Sequence, residues 1–211
     1  MKYQSFDRRP TQARNNRFSH QAVTFLIKHG VSPNTISGGS VLFSVIAGIS
    51  LGMTSSDSHR LWWVSAAIFI ALRLLANMLD GMVAIETGKV SPVGELFNEV
   101  PDRISDVVIF IGAGFAAGGS YHLGYVAAIL ALFTAYVRTL GNQLGVLHLF
   151  LGPMGKPNRM FILVGLCFYK ALAPVSWELP SLMAWVLLII CLGSFMTTVA
   201  RLRHIVVKVR M

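Results

Sequence analysis

Apolar residues gather in six long runs along this chain, at about 37–56, 62–84, 104–119, 123–147, 159–175 and 180–200. Most approach the ~20 residues that a helix needs to cross a bilayer. The third and fifth are shorter. Ahead of them, residues 13–29 follow a different rhythm. Phe18, Ala22, Phe25 and Leu26 share one helical face, and Arg14, Arg17, Gln21 and Lys28 share the other. That is the pattern of a short helix lying in a membrane interface. "GVSPNTIS" then breaks the chain: Gly30 can end the helix, and Pro33–Asn34 turn into the first apolar run. The pattern predicts an all-α polytopic membrane protein, with six transmembrane helices plus an N-terminal interfacial amphipathic helix. Residues 1–36 form the N-terminal segment, 37–200 the membrane domain and 201–211 a basic tail.

Composition agrees with this pattern and adds an orientation. Of 211 residues, 54% are hydrophobic and only 13% charged, against about 25% charged in soluble domains. The net charge of +9 would suggest nucleic acid in a soluble chain. Here anionic lipid and the positive-inside rule explain it better, and no nucleic-acid partner is expected. Lys2, Arg8, Arg9, Arg14, Arg17 and Lys28 precede the first run, and Lys89 and Arg103 lie between the second and third. Lys156 and Arg159 separate the fourth and fifth, and Arg201, Arg203, Lys208 and Arg210 follow the sixth. The opposite loops hold little besides Arg60. Both termini are therefore expected in the cytoplasm. Trp62, Trp63, Tyr121 and Trp177 fall near the other face, as an aromatic belt would. Cys167 and Cys191 lie in apolar runs and read as buried small hydrophobes. The first run begins too late for a signal peptide.

Charge then marks one place. Six of the nine carboxylates, Asp80, Glu86, Glu95, Glu99, Asp102 and Asp106, fall within 27 residues. Asn77, Asp80 and Ala84 share a face at the cytoplasmic end of the second run, while Asn98, Asp102 and Asp106 form a stripe leading into the third. A short loop lets the two stripes face each other. Ionised carboxylates at the edge of the hydrocarbon are costly without partners, and together they repel. A divalent cation removes both problems. Oxygen ligands without His or Cys suit Mg²⁺ or Mn²⁺ rather than zinc. Such an ion naturally binds a diphosphate. Gly81 and Gly94 allow either close approach of a ligand or close helix packing.

The stretch 77–102 resembles the signature of the CDP-alcohol phosphotransferase family, D-x2-D-G-x2-A-R-x8-G-x3-D-x3-D. Asp80, Gly81, Ala84, Gly94 and Asp102 match it without a gap. "GVSPNTIS" is similar to the segment before the family's first helix, and "GPMGKPNR" at 152–159 to a Gly-Lys segment of some members. The resemblance implies transfer of a phosphatidyl group from a CDP-linked lipid such as CDP-diacylglycerol to an alcohol acceptor, with release of CMP. It implies Asp80 as a metal ligand, Asp102 as general base or ligand, and Asn77 and Asn98 as weaker ligands. Gly81, Ala84 and Gly94 would line the CDP pocket, and a homodimer in a bacterial inner membrane is expected.

Three positions depart: Asn77 and Asn98 stand for aspartates, and Ile85 for arginine. Four signature carboxylates would carry −4; the matching positions here carry −2. An Asn oxygen still ligates Mg²⁺, although affinity should fall and one metal can replace two. Glu99 and Asp106 could restore charge. Arg73, one turn before Asn77, either replaces the lost arginine or snorkels. Arg138, Lys156 and Arg159 suggest a pocket for an acceptor phosphate, or else ordinary positive-inside charge. Lys170 reads as snorkelling, and the six histidines as interfacial. Gly114 and Gly118 suggest a dimer contact or tight internal packing. The competing classes are a non-catalytic CDP-lipid-binding relative and an ion or solute carrier. A carrier would need polar residues continuing across the membrane, and the acid is confined to one face.

Overall fold

The computed structural model of the chain describes residues 16–56, 60–88, 92–146, 149–177 and 179–210. Lys2, Arg8, Arg9, Arg14, His59, Lys89 and His148 lie outside them. The described residues form seven α-helices and no strand: α1 (Arg17–Lys28), α2 (Pro33–Met53), α3 (Leu61–Glu86), α4 (Pro92–Phe115), α5 (Tyr121–Gln143), α6 (Lys156–Leu172) and α7 (Leu182–Val209). A single 3₁₀ turn, Val175–Trp177, precedes α7. By length and composition α2, α3, α5 and α7 can cross a membrane. α6 has only 17 residues. The first half of α4 is charged, which lowers its apolar content.

Local chemistry sets the helix starts. Asn16 caps α1 by accepting from Phe18 N, and Ser32 caps α2 by accepting from Thr35 N, with Pro33 at the first position. Ser120 caps α5 in the same way. The apolar stripe of α1 is split. Val23 is buried against Leu79, Met82 and Val83 of α3, with Ala22, Leu26 and Ile27 beside it, while Phe18 and Phe25 stay exposed.

α2 packs on α3 and α4, α4 on α5, α5 on α7, and α3 on α6. Two crossings bring backbones together. A Cβ on Gly112 would lie 2.6 Å from the Cα of Gly48, and one on Gly124 would lie 2.7 Å from the Cα of Gly114. Gly114 therefore serves the α4–α5 contact inside one chain. Gly118 has φ +72° and lies against Pro180. The core between the helices includes Leu51, Ile70, Phe110, Ala127 and Met183.

Several sequence expectations shift. α4 starts at Pro92, well before the apolar run at 104, because its first turns carry a polar face that apolar counting misses. α7 continues through residues 201–209, so the basic tail is helical. Trp63 is buried in the core rather than part of a belt; Trp177 and Tyr121 are exposed. Lys170 is buried and donates to the Leu179 carbonyl at 3.3 Å instead of snorkelling. Cys167 and Cys191 are free and buried, as expected.

Candidate active site

The polar face of α4 needs buried partners, and α3 and α6 supply them. Arg73, fully buried on α3, reaches Asp106 with Nη2 to Oδ1 at 2.6 Å. The same nitrogen donates to the Asp102 carbonyl at 3.1 Å and lies 3.3 Å from Asp102 Oδ1. From α6, Arg159 Nη2 donates to Asp106 Oδ2 at 3.2 Å. Arg159 also lies over the Phe110 ring, 5.9 Å from its centroid, and Arg138 lies 5.1 Å from the centroid of Phe150. Asp106 is thus clamped between two buried guanidinium groups. This corrects its expected role as spare charge for a metal. Arg73 is fully buried in this network rather than snorkelling, and Arg159 belongs to the network while also lining a cleft.

Asp102 sits where this network opens to solvent. Its Oδ2 is ion-paired with the Lys156 ammonium and faces Asn77 Nδ2 at 3.4 Å. Pro101 precedes it inside α4 and removes one helix hydrogen bond there. Asp80 is buried one layer deeper, 3% exposed. Its Oδ2 accepts from Ser37 Oγ of α2 at 2.7 Å, and its Oδ1 is buried with no hydrogen-bond partner. Glu99 is ion-paired with Arg103 one turn along α4, so its charge is also committed.

The loop before α6 is fixed, which places Lys156. Met154 N donates to Thr197 Oγ1 at 2.9 Å, and Arg201 Nε to the Leu151 carbonyl at 3.2 Å. Gly152, with φ +102°, lies against Thr197, where any side chain would collide. Arg201 Nη1 also donates to the Thr134 carbonyl at 2.9 Å.

These elements surround a cleft of about 300 Å³, within the range of small-molecule sites. Asn77, Gly81, Asn98, Glu99 and Asp102 line it together with Arg138, Lys156, Arg159 and Arg201. Of the three residues expected around CDP, Gly81 lines the cleft, whereas Ala84 and Gly94 are not among its lining residues. Sequence reading missed Arg201, assigned to a tail, and Ser37, which sat unread in the segment leading into α2. Only the register of Ser37 within "GVSPNTIS" gave any signal for it.

Among the described residues, no three His, Cys, Asp or Glu side chains group as a metal site. The amide oxygens of Asn77 and Asn98 fall outside such a count. What fits a hard cation is narrower: the unpartnered buried oxygen of Asp80, the nearby Asp102, and two amides. That set suits one oxygen-ligated ion of the Mg²⁺ or Mn²⁺ kind.

Comparison with known proteins extends this picture. The family model for CDP-alcohol phosphatidyltransferases matches residues 31–151. A phosphatidylinositol phosphate synthase of Mycobacteroides abscessus is 26% identical over 198 residues, 90% of this chain and 84% of that protein. Inner membrane protein YnbA of Escherichia coli is 25% identical over 65% of this chain and 67% of its own length. Among solved structures, phosphatidylinositol phosphate synthase of Mycobacterium tuberculosis with CDP-DAG bound superposes with a TM-score of 0.74 at 19% identity, covering 90% of this chain and 94% of that one. The same enzyme in complex with manganese and citrate gives 0.72 at 21% identity, covering 89% and 88%. At these identities the structural likeness concerns the fold.

Proposed function

This chain belongs to the CDP-alcohol phosphatidyltransferase family, and from that premise we propose how its cleft carries out the transfer. The observation that carries the reading is the meeting of Asp102 and the unpartnered Asp80 oxygen with a basic wall in one cleft. The donor is a CDP-lipid such as CDP-diacylglycerol, the ligand in the M. tuberculosis structure. The acceptor is a phosphate-bearing alcohol, an inositol phosphate being favoured by the names of the relatives. The acceptor oxygen bonds to the β-phosphorus of the diphosphate, the bridging P–O bond breaks, and CMP leaves. Asp102, the aspartate that lines the cleft, takes the acceptor proton once its pair with Lys156 loosens. Arg138 and Arg201 bind and orient the anionic acceptor. Gly81 leaves room for the nucleotide beside α3.

Asp80, with Asn77, Asn98 and Asp102, would hold Mg²⁺ or Mn²⁺. Bound there, the ion supplies charge neutralisation to the diphosphate and to departing CMP. Ser37 keeps the Asp80 carboxylate turned so that Oδ1 stays available.

In this reading α4 and α6 join the four apolar helices as a six-span bundle, and α1 lies in the interface with Phe18 and Phe25 toward lipid. The cleft and both termini face the cytoplasm of a bacterial inner membrane, and the chain pairs as a homodimer. A catalytically silent CDP-lipid binder is the second reading, favoured by the two amides at signature aspartate positions. The test is CMP release from CDP-diacylglycerol by purified protein, with Mn²⁺ and a panel of acceptors: inositol phosphate, glycerol 3-phosphate, inositol and serine. Release only with phosphate-bearing acceptors supports the proposal. No release with any acceptor, alongside intact CDP-diacylglycerol binding, favours the silent binder.

A further inference from the structure

We propose that the ammonium of Lys156 stands in for a second metal ion, so that this chain holds one divalent cation where four aspartates would gather two. The inference rests on the metal-dependent reading above and concerns how this chain balances its site. A pair of divalent ions needs several carboxylates to hold it. Here two of the signature carboxylates are amides, and the remaining pair is Asp80 and Asp102. Asp102 already carries a full positive charge on each side: Arg73 at Oδ1 and Lys156 at Oδ2. The Lys156 ammonium is itself buried, and its position is set from outside the site, by the Met154–Thr197 and Leu151–Arg201 bonds that fix the preceding loop.

A freely swinging surface lysine would vacate Asp102 whenever a divalent ion arrived. Lys156, at the first turn of α6 with its side chain 18% exposed, stays within reach of Asp102 even when the pair loosens, because its loop is fixed. It lines the same cleft as Asn77 and Asn98 and pairs with the Asp102 oxygen that Asn77 also faces, so its charge falls among groups that would otherwise bring carboxylates. Asp80 differs: its Oδ1 has no cation on it and no hydrogen-bond donor. Asp80 is therefore the carboxylate suited to a divalent ion, and the second positive charge is supplied by protein. A monovalent, fixed cation would still attract the diphosphate, and would do so at metal concentrations too low to load a second ion.

Electron paramagnetic resonance of Mn²⁺ titrated into purified protein with CDP tests this. The parent should bind one Mn²⁺ per chain. Lys156→Gln should bind one Mn²⁺ at least about tenfold more tightly, because a +1 charge roughly 5 Å from a +2 ion opposes it by more than a kcal/mol even when well screened. Lys156→Arg should restore parental affinity. Lys156→Gln combined with Asn77→Asp and Asn98→Asp should bind two, with a spin-coupled spectrum. Two Mn²⁺ on the parent overturn the inference and leave the metal-dependent reading standing. So does unchanged affinity in a monodisperse Lys156→Gln. Binding of no Mn²⁺ by the parent at millimolar concentration overturns both.

Discussion

Replacing Asp106 by Asn strikes the buried ionic network at its centre. The residue is 1% exposed, with Arg73 Nη2 at 2.6 Å and Arg159 Nη2 at 3.2 Å. Both arginines are 1% exposed or less. Asn keeps the shape and one acceptor oxygen, but it leaves two buried cations facing each other across a neutral amide. Its NH₂ group must also point at one of them. Removing one partner of a buried ion pair costs about 3–5 kcal/mol. For a chain of this size each kcal/mol moves Tm by about 2–4 °C. The apparent Tm in detergent should therefore fall by roughly 6–20 °C.

The assay runs a thermal scan beside a Mn²⁺ titration of CMP release at low temperature. A lost structural clamp appears as a lower Tm with the metal dependence of the surviving enzyme little changed. A lost metal charge, which the sequence alone allowed, appears as weaker metal dependence at unchanged Tm. A Tm shift below about 2 °C, less than one kcal/mol, would refute the clamp.

Other changes separate the remaining roles. Asp80→Ala and Asp102→Ala should each lower CMP release at least ~10²-fold, the scale for losing electrostatic or acid–base catalysis; near-normal turnover in either, measured with saturating CDP-lipid, contradicts the assignment. Arg138→Gln should raise KM for a phosphate-bearing acceptor about tenfold while moving KM for CDP-lipid little, since a hydrogen bond to a charged group contributes about 1.5–3 kcal/mol; equal changes in both would place Arg138 elsewhere. Gly112→Val should abolish monodisperse protein in size-exclusion chromatography, because even a Cβ there meets the Gly48 backbone at 2.6 Å.

The sequence shows the helices and the signature because both are local. Apolar runs report lipid or core contact within one segment, and fixed spacing reports faces of one helix. It does not show partners across helices. Arg73 lies 33 residues from Asp106, and Arg159 a further 53, and nothing in either neighbourhood says which carboxylate each will meet. The result is that Asp106 looked like spare charge, and the pairing of Arg159 with it went unread. The start of α4 was hidden for a related reason. Its first turns mix Glu95, Asn98 and Glu99 with apolar residues, so its hydropathy resembles a loop. Lys170 misled in the opposite way: its carbonyl partner Leu179 lies beyond a turn that hydropathy does not describe. Asp80 and Asp102 were legible because their spacing along the chain, from α3 to α4, defines the signature.

Asn77 carries the last expectation, and the distance around it decides its direction. Its Nδ2 lies 3.4 Å from Asp102 Oδ2, long for a hydrogen bond but favourable in sign. A carboxylate in the same place sets two like charges at a similar separation. At an effective dielectric of 20 that repulsion is about 5 kcal/mol, reduced by Lys156 and Arg73, which also face Asp102. A divalent ion between the two carboxylates would reverse it. Asn77→Asp should therefore lower the apparent Tm in chelator and recover it in saturating Mn²⁺. An ion at 100 times its Kd adds about 2.7 kcal/mol, or roughly 5–11 °C for a chain of this size. The parent should move less, because its weaker site is further from saturation at the same Mn²⁺ concentration. Thermal scans of both proteins in chelator and in Mn²⁺ settle the point. If Asn77→Asp is as stable as the parent in chelator, the carboxylate pair is tolerated without an ion, and the amide is not what holds the metal-free site together.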